Sequence, residues 1–286
     1  MEKLLDEIES YWSTRTEGYS EVNHKELAGT QKNAWLKVLT SQFPDKPKEE
    51  IRILDIGTGP GFFPVILAEA GYHVDAVDYT EGMLEKAKEN AGELCRNIHF
   101  QRMDAQKLEF EDNTFDVVIS RNLTWNLEHP DVAYREWVRV LKVGGKLLNF
   151  DANWYGYLYE EEQRKAYEND RKNVENNSLD DHYLCTDIER MERIALQVPL
   201  SKISRPQWDV KTLREAGLLG IRTDTEIWKT VWSEEERLNY QSTPMFMVTG
   251  VKPDHFLNLP VVEGEKTEGF LEIGDGEFTL PATIIR

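Results

Sequence analysis

Three glycines and two acids stand where a chain could bind a cofactor that carries a nucleoside. Gly57, Gly59 and Gly61 form G-x-G-x-G shortly after Asp55, an acid near the end of an apolar stretch. Glycine has no Cβ and tolerates positive φ, so a ligand can press against bare backbone there. Asp78 follows about 20 residues after the turn, where a carboxylate can accept hydrogen bonds from both ribose hydroxyls. The pattern predicts a cofactor crevice at the carboxyl ends of two strands, while the glycines alone would also fit a simple structural turn.

The glycine spacing distinguishes between two classes of cofactor. The dinucleotide fingerprint is G-x-G-x-x-G, whereas Phe62 occupies the position of its third glycine in this chain. A bulky side chain there disfavours a helix that packs tightly under a pyrophosphate. A nicotinamide-dependent oxidoreductase remains an alternative, because Asp78 could also bind the ribose of an adenine dinucleotide.

Alternating strands and helices must position these residues. The periodicity predicts strands over 51–55, 73–78, 98–103, 115–120 and 147–151, with helices over 62–70 and 81–94 and around Trp137. This alternation favours parallel pairing with right-handed crossovers. Further along, the pattern predicts a helix over 210–217 and a hairpin-like pair of strands over 221–228 and 244–251.

From residue 51 to residue 151 the chain resembles the class I S-adenosylmethionine-dependent methyltransferases of the small-molecule type. The motifs that carry the resemblance are D-I-G-T-G-P-G at 55–61, V-D at 77–78, D-A at 104–105, F-D-V-V-I-S at 115–120 and L-K-V-G-G-K-L at 141–147. Where the family commonly shows P-G-G, this chain has V-G-G at 143–145. The resemblance implies an α/β fold, a Rossmann-like doubly wound seven-stranded sheet with an antiparallel last strand, plus a helical lid insertion. It also implies S-adenosyl-L-methionine as cofactor and S-adenosyl-L-homocysteine as product.

The resemblance further implies which residues contact the first half of the cofactor. Gly57, Gly59 and Gly61 would cradle its methionine part, Asp78 would bind the ribose hydroxyls, and Met83 would pack on the adenine. These roles predict that the crevice is built mainly from the glycine turn and the strand that ends at Asp78.

Two later motifs would supply the remaining contacts. Asp104 would meet the adenine amino group with the Ala105 backbone beside it. The floor near the sulfonium would be lined by Ser120, Arg121 and Asn122. The expected cofactor-binding set is completed by Asp55 and Tyr79.

The N-terminal segment, residues 1–45, has a helical pattern and three residues suited to the cofactor. Tyr11, Arg15 and Tyr19 follow a spacing also seen ahead of the glycine turn in similar methyltransferases, where the segment folds over the cofactor. An arginine suits the methionine carboxylate, because its planar fork can bind both oxygens. The alternative is an amphipathic helix on the sheet, with the tyrosines as half-buried core.

Residues 152–208 interrupt the Rossmann-like core, which we place at 46–151 and 209–252. The insertion begins with an aromatic cluster at a strand end, and Trp154 and Tyr157 join Trp125 as expected substrate contacts. Aromatic walls exclude water and can stack on a planar substrate or hold a cation. A lid or substrate-specificity segment is therefore expected here, although the same rings would also serve as the core of a helical cap.

Methyl transfer needs a base only if the acceptor is a hydroxyl or a protonated amine. The candidates for a base or a substrate contact are Asp151, His182 and Tyr155, and His182 would equally suit a surface or capping position. His182-x-x-Cys185 has a ligand-like spacing, but no second Cys/His pair completes a zinc site. No metal is therefore expected.

The composition of the chain limits which binding partners and which cellular compartment are expected. The net charge of −18, from 34 basic and 52 acidic residues, repels phosphate backbones, and no basic stripe is present, so nucleic acid is not expected. No apolar run approaches the ~20 residues of a membrane span, the start is not a signal peptide, and two cysteines suit a reducing compartment. We expect a cytoplasmic monomer or homodimer that methylates a small molecule at N, O, S or C by in-line displacement. A non-catalytic cofactor-binding regulatory protein is the other alternative, and residues 253–286 form a C-terminal extension without an assigned role.

Overall fold

Seven strands form one sheet in the computed structural model, which describes residues 4–183 and 186–254. The strand order is β3-β2-β1-β4-β5-β7-β6. Strands β1 to β5 pair in parallel, whereas β7 pairs antiparallel with both β5 and β6. The strands are β1 (Arg52–Ile56), β2 (His73–Asp78), β3 (Ile98–Arg102), β4 (Phe115–Arg121), β5 (Leu141–Asp151), β6 (Leu219–Asp224) and β7 (Phe246–Val251). This sheet confirms the Rossmann-like seven-stranded class with an antiparallel last strand.

Helices cover both faces of the sheet, so its central strands are apolar throughout. In β4 the consecutive residues Val117, Val118 and Ile119 are fully buried, as expected of a strand with helices on both sides. The helices are α1 (Leu4–Ala28), α2 (Gln31–Thr40), α3 (Phe62–Glu69), α4 (Glu81–Ala91), α5 (Pro130–Val140), α6 (Glu161–Asn176), α7 (Ile188–Ala195), α8 (Gln207–Glu215), α9 (Trp228–Val231) and α10 (Glu234–Asn239).

The connection between β6 and β7 differs from the predicted hairpin-like pair. The two strands do pair antiparallel, but β6 ends at Asp224, and Trp228 begins a helix rather than ending a strand. Helices α9 and α10 fill the connection, and α10 begins with a capping box in which Ser233 and Glu236 satisfy each other's backbone N–H groups. The connection is therefore a folded segment that can contribute side chains to a site.

Smaller differences concern where elements end. Helix α4 stops at Ala91 rather than near residue 94, because Gly92 takes a positive φ of 51° and a 3₁₀ turn follows. Residues 255–286, most of the predicted C-terminal extension, lie outside the described residues. Within 4–183 and 186–254, no helix is both long enough and apolar enough to cross a membrane.

Candidate active site

The glycine turn after β1 is held open by its backbone conformation and its neighbours. Gly57 and Gly59 have φ values of 70° and 54°, in the left-handed region that favours glycine. A Cβ on Gly57 would lie 2.7 Å from Leu123 Cδ2, and one on Gly59 would lie 3.5 Å from the Tyr19 ring. Both glycines line a narrow crevice of about 100 Å³, so bare backbone faces the space where a ligand can lie.

Gly61 has a structural role, unlike the other two glycines, which line the crevice. Its φ is 91°, and a Cβ there would lie 3.0 Å from the Cβ of Ala87 in α4. Gly61 therefore allows α3 and α4 to pack closely, and it does not line the crevice. The structure places only Gly57 and Gly59 of the predicted cradle at the ligand space.

Asp78, at the end of β2, is fixed by backbone donors. Its Oδ2 accepts a hydrogen bond of 2.8 Å from Gly59 N, and its Oδ1 accepts one of 2.8 Å from Thr80 N. Burial raises the pKa of this carboxyl, yet Asp78 still lines the crevice. Each oxygen keeps a lone pair, so the carboxylate is oriented and can accept two further bonds from a diol.

Asp55 lies beneath the turn and does not face the crevice. Only 2% of the residue is exposed, and burial raises the pKa of its carboxyl to about 7. The structure therefore places Asp55 as a buried group that supports the turn.

The far end of the crevice carries the residues predicted for an adenine. Met83, Asp104 and Ala105 all line it, and so does Tyr79, which was expected as a cofactor contact without an assigned part of the cofactor. Asp104 Oδ1 accepts bonds from Gln106 N at 2.8 Å and Gln106 Nε2 at 3.1 Å, which leaves Oδ2 for an exocyclic amino group. The structure thus brings together the three residues that the resemblance had assigned to the adenine end, with Tyr79 beside them.

The floor of the site is built from the end of β4. Ser120 is fully buried and donates to Ile56 O at 2.9 Å, so it joins β4 to β1 rather than facing a ligand. Arg121 faces the crevice but is already bound by Glu26, whose two oxygens accept its bonds at 2.8 and 3.0 Å. Although burial opposes it, Glu26 raises the pKa of Arg121. Asn122, with a φ of 56°, turns the chain at the same point and also lines the crevice.

Helix α1 lies against these elements. Glu9 forms an ion pair of 2.9 Å with Arg102 of β3, and Glu17 forms one of 2.8 Å with Lys86 of α4. Tyr19 lines the crevice on one side, and Arg15 is half-buried in the wall of a neighbouring cavity. Within the described part of the chain Arg15 forms no ion pair, so its guanidinium can take an anionic group.

A second, larger cavity of about 690 Å³ adjoins the crevice. The two share the wall residues Trp12, Tyr19, Arg121 and Asn122. The other aromatic residues of the cavity wall are Tyr11, Trp125, Trp154, Tyr155, Tyr183, Trp232 and Tyr240. An aromatic chamber therefore opens directly beside the crevice.

Tyr155 and Trp125 form one wall of this cavity. Their ring centroids lie 5.0 Å apart at an interplanar angle of 30°. Burial raises the pKa of Tyr155 well above its usual value, and its hydroxyl forms no hydrogen bond with another described residue. The hydroxyl therefore remains protonated and is free to contact a ligand.

Tyr157 lies behind this wall instead of in it. Its hydroxyl donates to Glu192 Oε1 at 2.8 Å, and its ring stacks on Tyr167 with centroids 4.0 Å apart. It does not line the cavity, so the structure gives it the alternative role, as core of the helical cap.

Asp151 also lies away from the cavity, in a buried charge network. Both Asp151 and Arg205 have fully buried side chains, and they form an ion pair of 2.7 Å. Arg205 pairs on its other side with Asp209 at 2.6 Å. The remaining bonds to the Asp151 carboxylate come from Thr124 Oγ1, Trp125 N, Ala152 N and Trp154 Nε1. The Asp151 carboxylate therefore does not reach the cavity, and its bonds to Trp125 N and Trp154 Nε1 support these two residues of the cavity wall.

His182 does line the cavity, between two side chains of the β6–β7 connection. Its Nε2 lies 2.9 Å from Glu235 Oε1, and its Nδ1 lies 3.0 Å from the Tyr240 hydroxyl. Cys185, of the His-x-x-Cys spacing, lies outside the described residues. Over 4–183 and 186–254, no three His, Cys, Asp or Glu side chains come together as a metal site.

Sequence reasoning missed the contribution of the β6–β7 connection. Trp232, Glu236 and Tyr240 all line the cavity, and so does Glu26, the partner of Arg121. A signal was present, because Ser233-x-x-Glu236 is a capping-box pattern that predicts a helix here. Because two paired strands are predicted over 221–228 and 244–251, the residues between them are interpreted as their connection and no helix is predicted there.

Known proteins are similar to this chain in the region that contains the glycine turn and the strands around it. Residues 54–149 match the family model described as a methyltransferase domain. A demethylmenaquinone methyltransferase of Clavibacter sepedonicus is 39% identical over 97 residues, which cover 34% of this chain and 39% of that protein. Residues 54–149 are a class I S-adenosylmethionine-dependent methyltransferase domain. The match includes the turn, Asp78 and the strand that leads to Arg121.

Other relatives of the methyltransferase domain are also matched over part of their length. An uncharacterized protein of Haemophilus influenzae is 36% identical over 126 residues, 41% of this chain and 50% of that protein. A ubiquinone biosynthesis O-methyltransferase of Coxiella burnetii is 30% identical over 126 residues, 43% of this chain and 53% of that protein. The chain thus matches about half the length of these relatives.

Solved structures extend the likeness of fold beyond the domain. Phosphoethanolamine N-methyltransferase 2 of Haemonchus contortus, in complex with S-adenosyl-L-methionine, has a TM-score of 0.55 at 20% identity, covering 77% of this chain and 52% of that one. The cyclase SpnF has a TM-score of 0.50 at 17% identity, covering 77% of this chain and 81% of that one. At these identities the likeness concerns the fold alone.

The crevice fits the cofactor of this family. It offers bare backbone at Gly57 and Gly59, an oriented carboxylate at Asp78, an apolar wall at Met83 and an unused carboxylate oxygen at Asp104. S-adenosyl-L-methionine is therefore the cofactor for which these residues are suited.

Proposed function

We propose that this chain transfers a methyl group from S-adenosylmethionine to a small-molecule acceptor bound in the aromatic cavity. The observation that carries the proposal is the shared wall. Tyr19, Arg121 and Asn122 border both the crevice and the 690 Å³ cavity, so occupants of the two spaces would meet there. The cavity volume lies within the usual range for small-molecule sites of roughly 300–1,000 Å³.

Each part of the cofactor has a candidate partner. Gly57 and Gly59 would hold the methionine part, with Arg15 on its carboxylate, and Asp78 would bind the ribose. The adenine end would be held by Tyr79, Met83, Asp104 and Ala105. Tyr11 and Tyr19 would complete the cover from α1.

When bound, the cofactor supplies an electrophilic sulfonium methyl group. The chain's own contribution is to align the acceptor and to exclude water, and alignment alone can lower the barrier by roughly 7–11 kcal/mol. Trp125, Trp154 and Tyr155 would form the water-excluding wall, and the Tyr155 hydroxyl would donate a hydrogen bond to the acceptor. His182 remains a candidate for acceptor contact because it lines the cavity. Asp151 is assigned to support of the wall.

The setting proposed for this reaction is the cytoplasm, with a soluble acceptor and no nucleic-acid partner. The net charge of −18 supports the exclusion of nucleic acid, because a field of that sign repels phosphate groups. A monomer or a homodimer is proposed.

The test is transfer of label from methyl-labelled S-adenosylmethionine into a cell extract that has been separated into small molecules, proteins and nucleic acids. We expect label in the small-molecule fraction with the wild-type chain, and at least about tenfold less with Asp78→Ala at low cofactor concentration. Label that enters only protein or nucleic acid would overturn the proposal.

A further inference from the structure

One face of the β6–β7 connection points a carboxylate and two rings at the cavity. Trp232, Glu236 and Tyr240 follow one another at four-residue spacing, and all three line the cavity. Tyr240 N donates to Glu236 O at 2.9 Å, so the helical path continues to Tyr240. Residues four apart lie on the same side of a helix, so Glu236 and Tyr240 face the cavity together. Trp232 reaches the cavity from the extended link before α10, where ψ is 143° at Trp232 and 167° at Ser233.

The Glu236 carboxylate is only half engaged by the protein. Its Oε2 accepts bonds from Ser233 N at 2.8 Å and from Gln31 Nε2 at 2.6 Å. No described residue bonds to its Oε1 or forms an ion pair with it. Burial, together with the neighbouring Glu26, raises the pKa of Glu236.

The nearby guanidinium does not neutralise Glu236, because it already has a partner. Arg121 gives both of its terminal nitrogens to Glu26, at 2.8 and 3.0 Å. The cavity as a whole is rich in acids. Its carboxylates are Glu21, Glu26, Asp180, Asp181, Glu235 and Glu236, against the permanent cations Arg15, Lys25 and Arg121. A desolvated carboxylate that lacks a cation is costly unless a ligand supplies the charge.

Three rings stand in mutual contact in the same cavity. The Tyr240 centroid lies 5.2 Å from that of Trp154 and 5.5 Å from that of Trp232, and the two indoles lie 6.4 Å apart. Tyrosine and tryptophan faces attract cations, most strongly where water is excluded. A neutral acceptor such as a phenol could donate a hydrogen bond to Glu236 Oε1 but would bring no positive charge to the buried carboxylate or to the rings.

We propose that the acceptor of the methyl transfer proposed above is an amine, which enters the cavity as an ammonium ion and is bound by Glu236, Trp154, Trp232 and Tyr240. The ammonium gives one N–H proton to the free oxygen of the Glu236 carboxylate. The nitrogen lone pair then forms the new N–C bond as the S–C bond of the methyl donor breaks. The products are the methylated ammonium ion and S-adenosylhomocysteine.

The experiment measures label transfer from methyl-labelled S-adenosylmethionine to an array of primary and secondary amines. A matched array carries a hydroxyl or a thiol on the same carbon skeletons. We expect label in amines and not in their hydroxyl or thiol counterparts. For the best amine, Glu236→Gln should lower kcat/KM by at least about tenfold, the loss typical of a charged hydrogen bond. The glutamine keeps an oxygen acceptor for the Ser233 N–H, so the capping box and the fold should survive.

Glu234→Gln is the matched control, because Glu234 is an exposed acid on the same helix and lies outside the cavity wall. Its kcat/KM should stay within about twofold of the wild type. The amine assignment is overturned if only hydroxyl or thiol acceptors are methylated, if no acceptor is methylated while S-adenosylhomocysteine binds, or if Glu236→Gln methylates amines as fast as Glu234→Gln does. Failure of the wild-type chain to bind S-adenosylhomocysteine would instead overturn the methyl transfer itself.

Discussion

Asp78 links the glycine turn to the proposed ribose site, so removing its charge should weaken the binding of the cofactor. In Asp78→Asn the side chain has one acceptor oxygen in place of two, while the Gly59 and Thr80 N–H groups still point at it at the 2.8 Å distances of the wild type. One N–H must then face an amide NH₂ group. The ribose also loses charge-assisted hydrogen bonds, which are worth about 1.5–3 kcal/mol. At about 1.4 kcal/mol per factor of ten, we expect S-adenosylhomocysteine to bind about 10- to 150-fold more weakly.

The assay is calorimetric titration of wild type and variant, with unfolding curves to show that both are folded. Asp75→Asn is the control, because Asp75 lies on the same strand but pairs at the surface with His99 and Arg52, at 3.1 and 3.6 Å. Surface pairs contribute about 0–1 kcal/mol to stability, and binding should not change. An Asp78→Asn variant that is folded and binds as tightly as the wild type would refute the role of Asp78.

Three further predictions concern stability, each measured by urea unfolding. Arg205→Leu leaves two fully buried carboxylates without their cation and should lower the free energy of unfolding by about 3–5 kcal/mol. The control Arg135→Leu removes an exposed ion pair and should lower it by at most about 0.5 kcal/mol. Equal losses in the two variants would contradict this prediction. Gly57→Ala forces a Cβ to 2.7 Å from a leucine methyl at positive φ and should destabilise by more than Gly71→Ala, whose Cβ meets nothing within 4 Å. Burial raises the pKa of Asp55 to about 7, so folding retains a proton that the unfolded carboxyl releases near pH 4, and stability should fall by up to about 4 kcal/mol as pH rises from about 4 to 7. Asp55→Asn should remove that component, and unchanged pH dependence would show that Asp55 is not the group responsible.

The crevice could be predicted from the sequence because its residues follow strands at short, fixed spacings. Gly57, Gly59 and Asp78 each sit at or just beyond the carboxyl end of a parallel strand, and such ends meet at one edge of a sheet. Gly61 belongs to the same run, but whether it faces a ligand or a helix depends on how α4 packs. Only the structure shows Ala87 against it.

The cavity was predicted in part, because its walls come from distant segments. The aromatic run after β5 indicated a substrate chamber, and Trp154 and Tyr155 do line it. Tyr157 points the other way, since its partner Glu192 lies on α7. Asp151 was correctly placed at a strand end, but its ion pair with Arg205 joins residues 54 positions apart, which no local pattern reveals.

The β6–β7 connection is the part of the candidate site that the sequence predicted least well. Its apolar and β-branched residues around Trp228 favoured a strand, whereas tertiary packing selects two short helices. Consequently the side chains that distinguish this cavity, Glu236 and Tyr240, could not be assigned to it from their spacing alone.

The most direct test of the central claim is calorimetric titration of the purified chain with S-adenosylhomocysteine and, separately, with NAD. A class I methyltransferase crevice predicts binding of S-adenosylhomocysteine with a Kd on the order of micromolar, about −8 kcal/mol, and no heat with NAD. Binding of NAD alone would contradict the methyltransferase assignment and would indicate that the glycine turn belongs to a nicotinamide-dependent oxidoreductase.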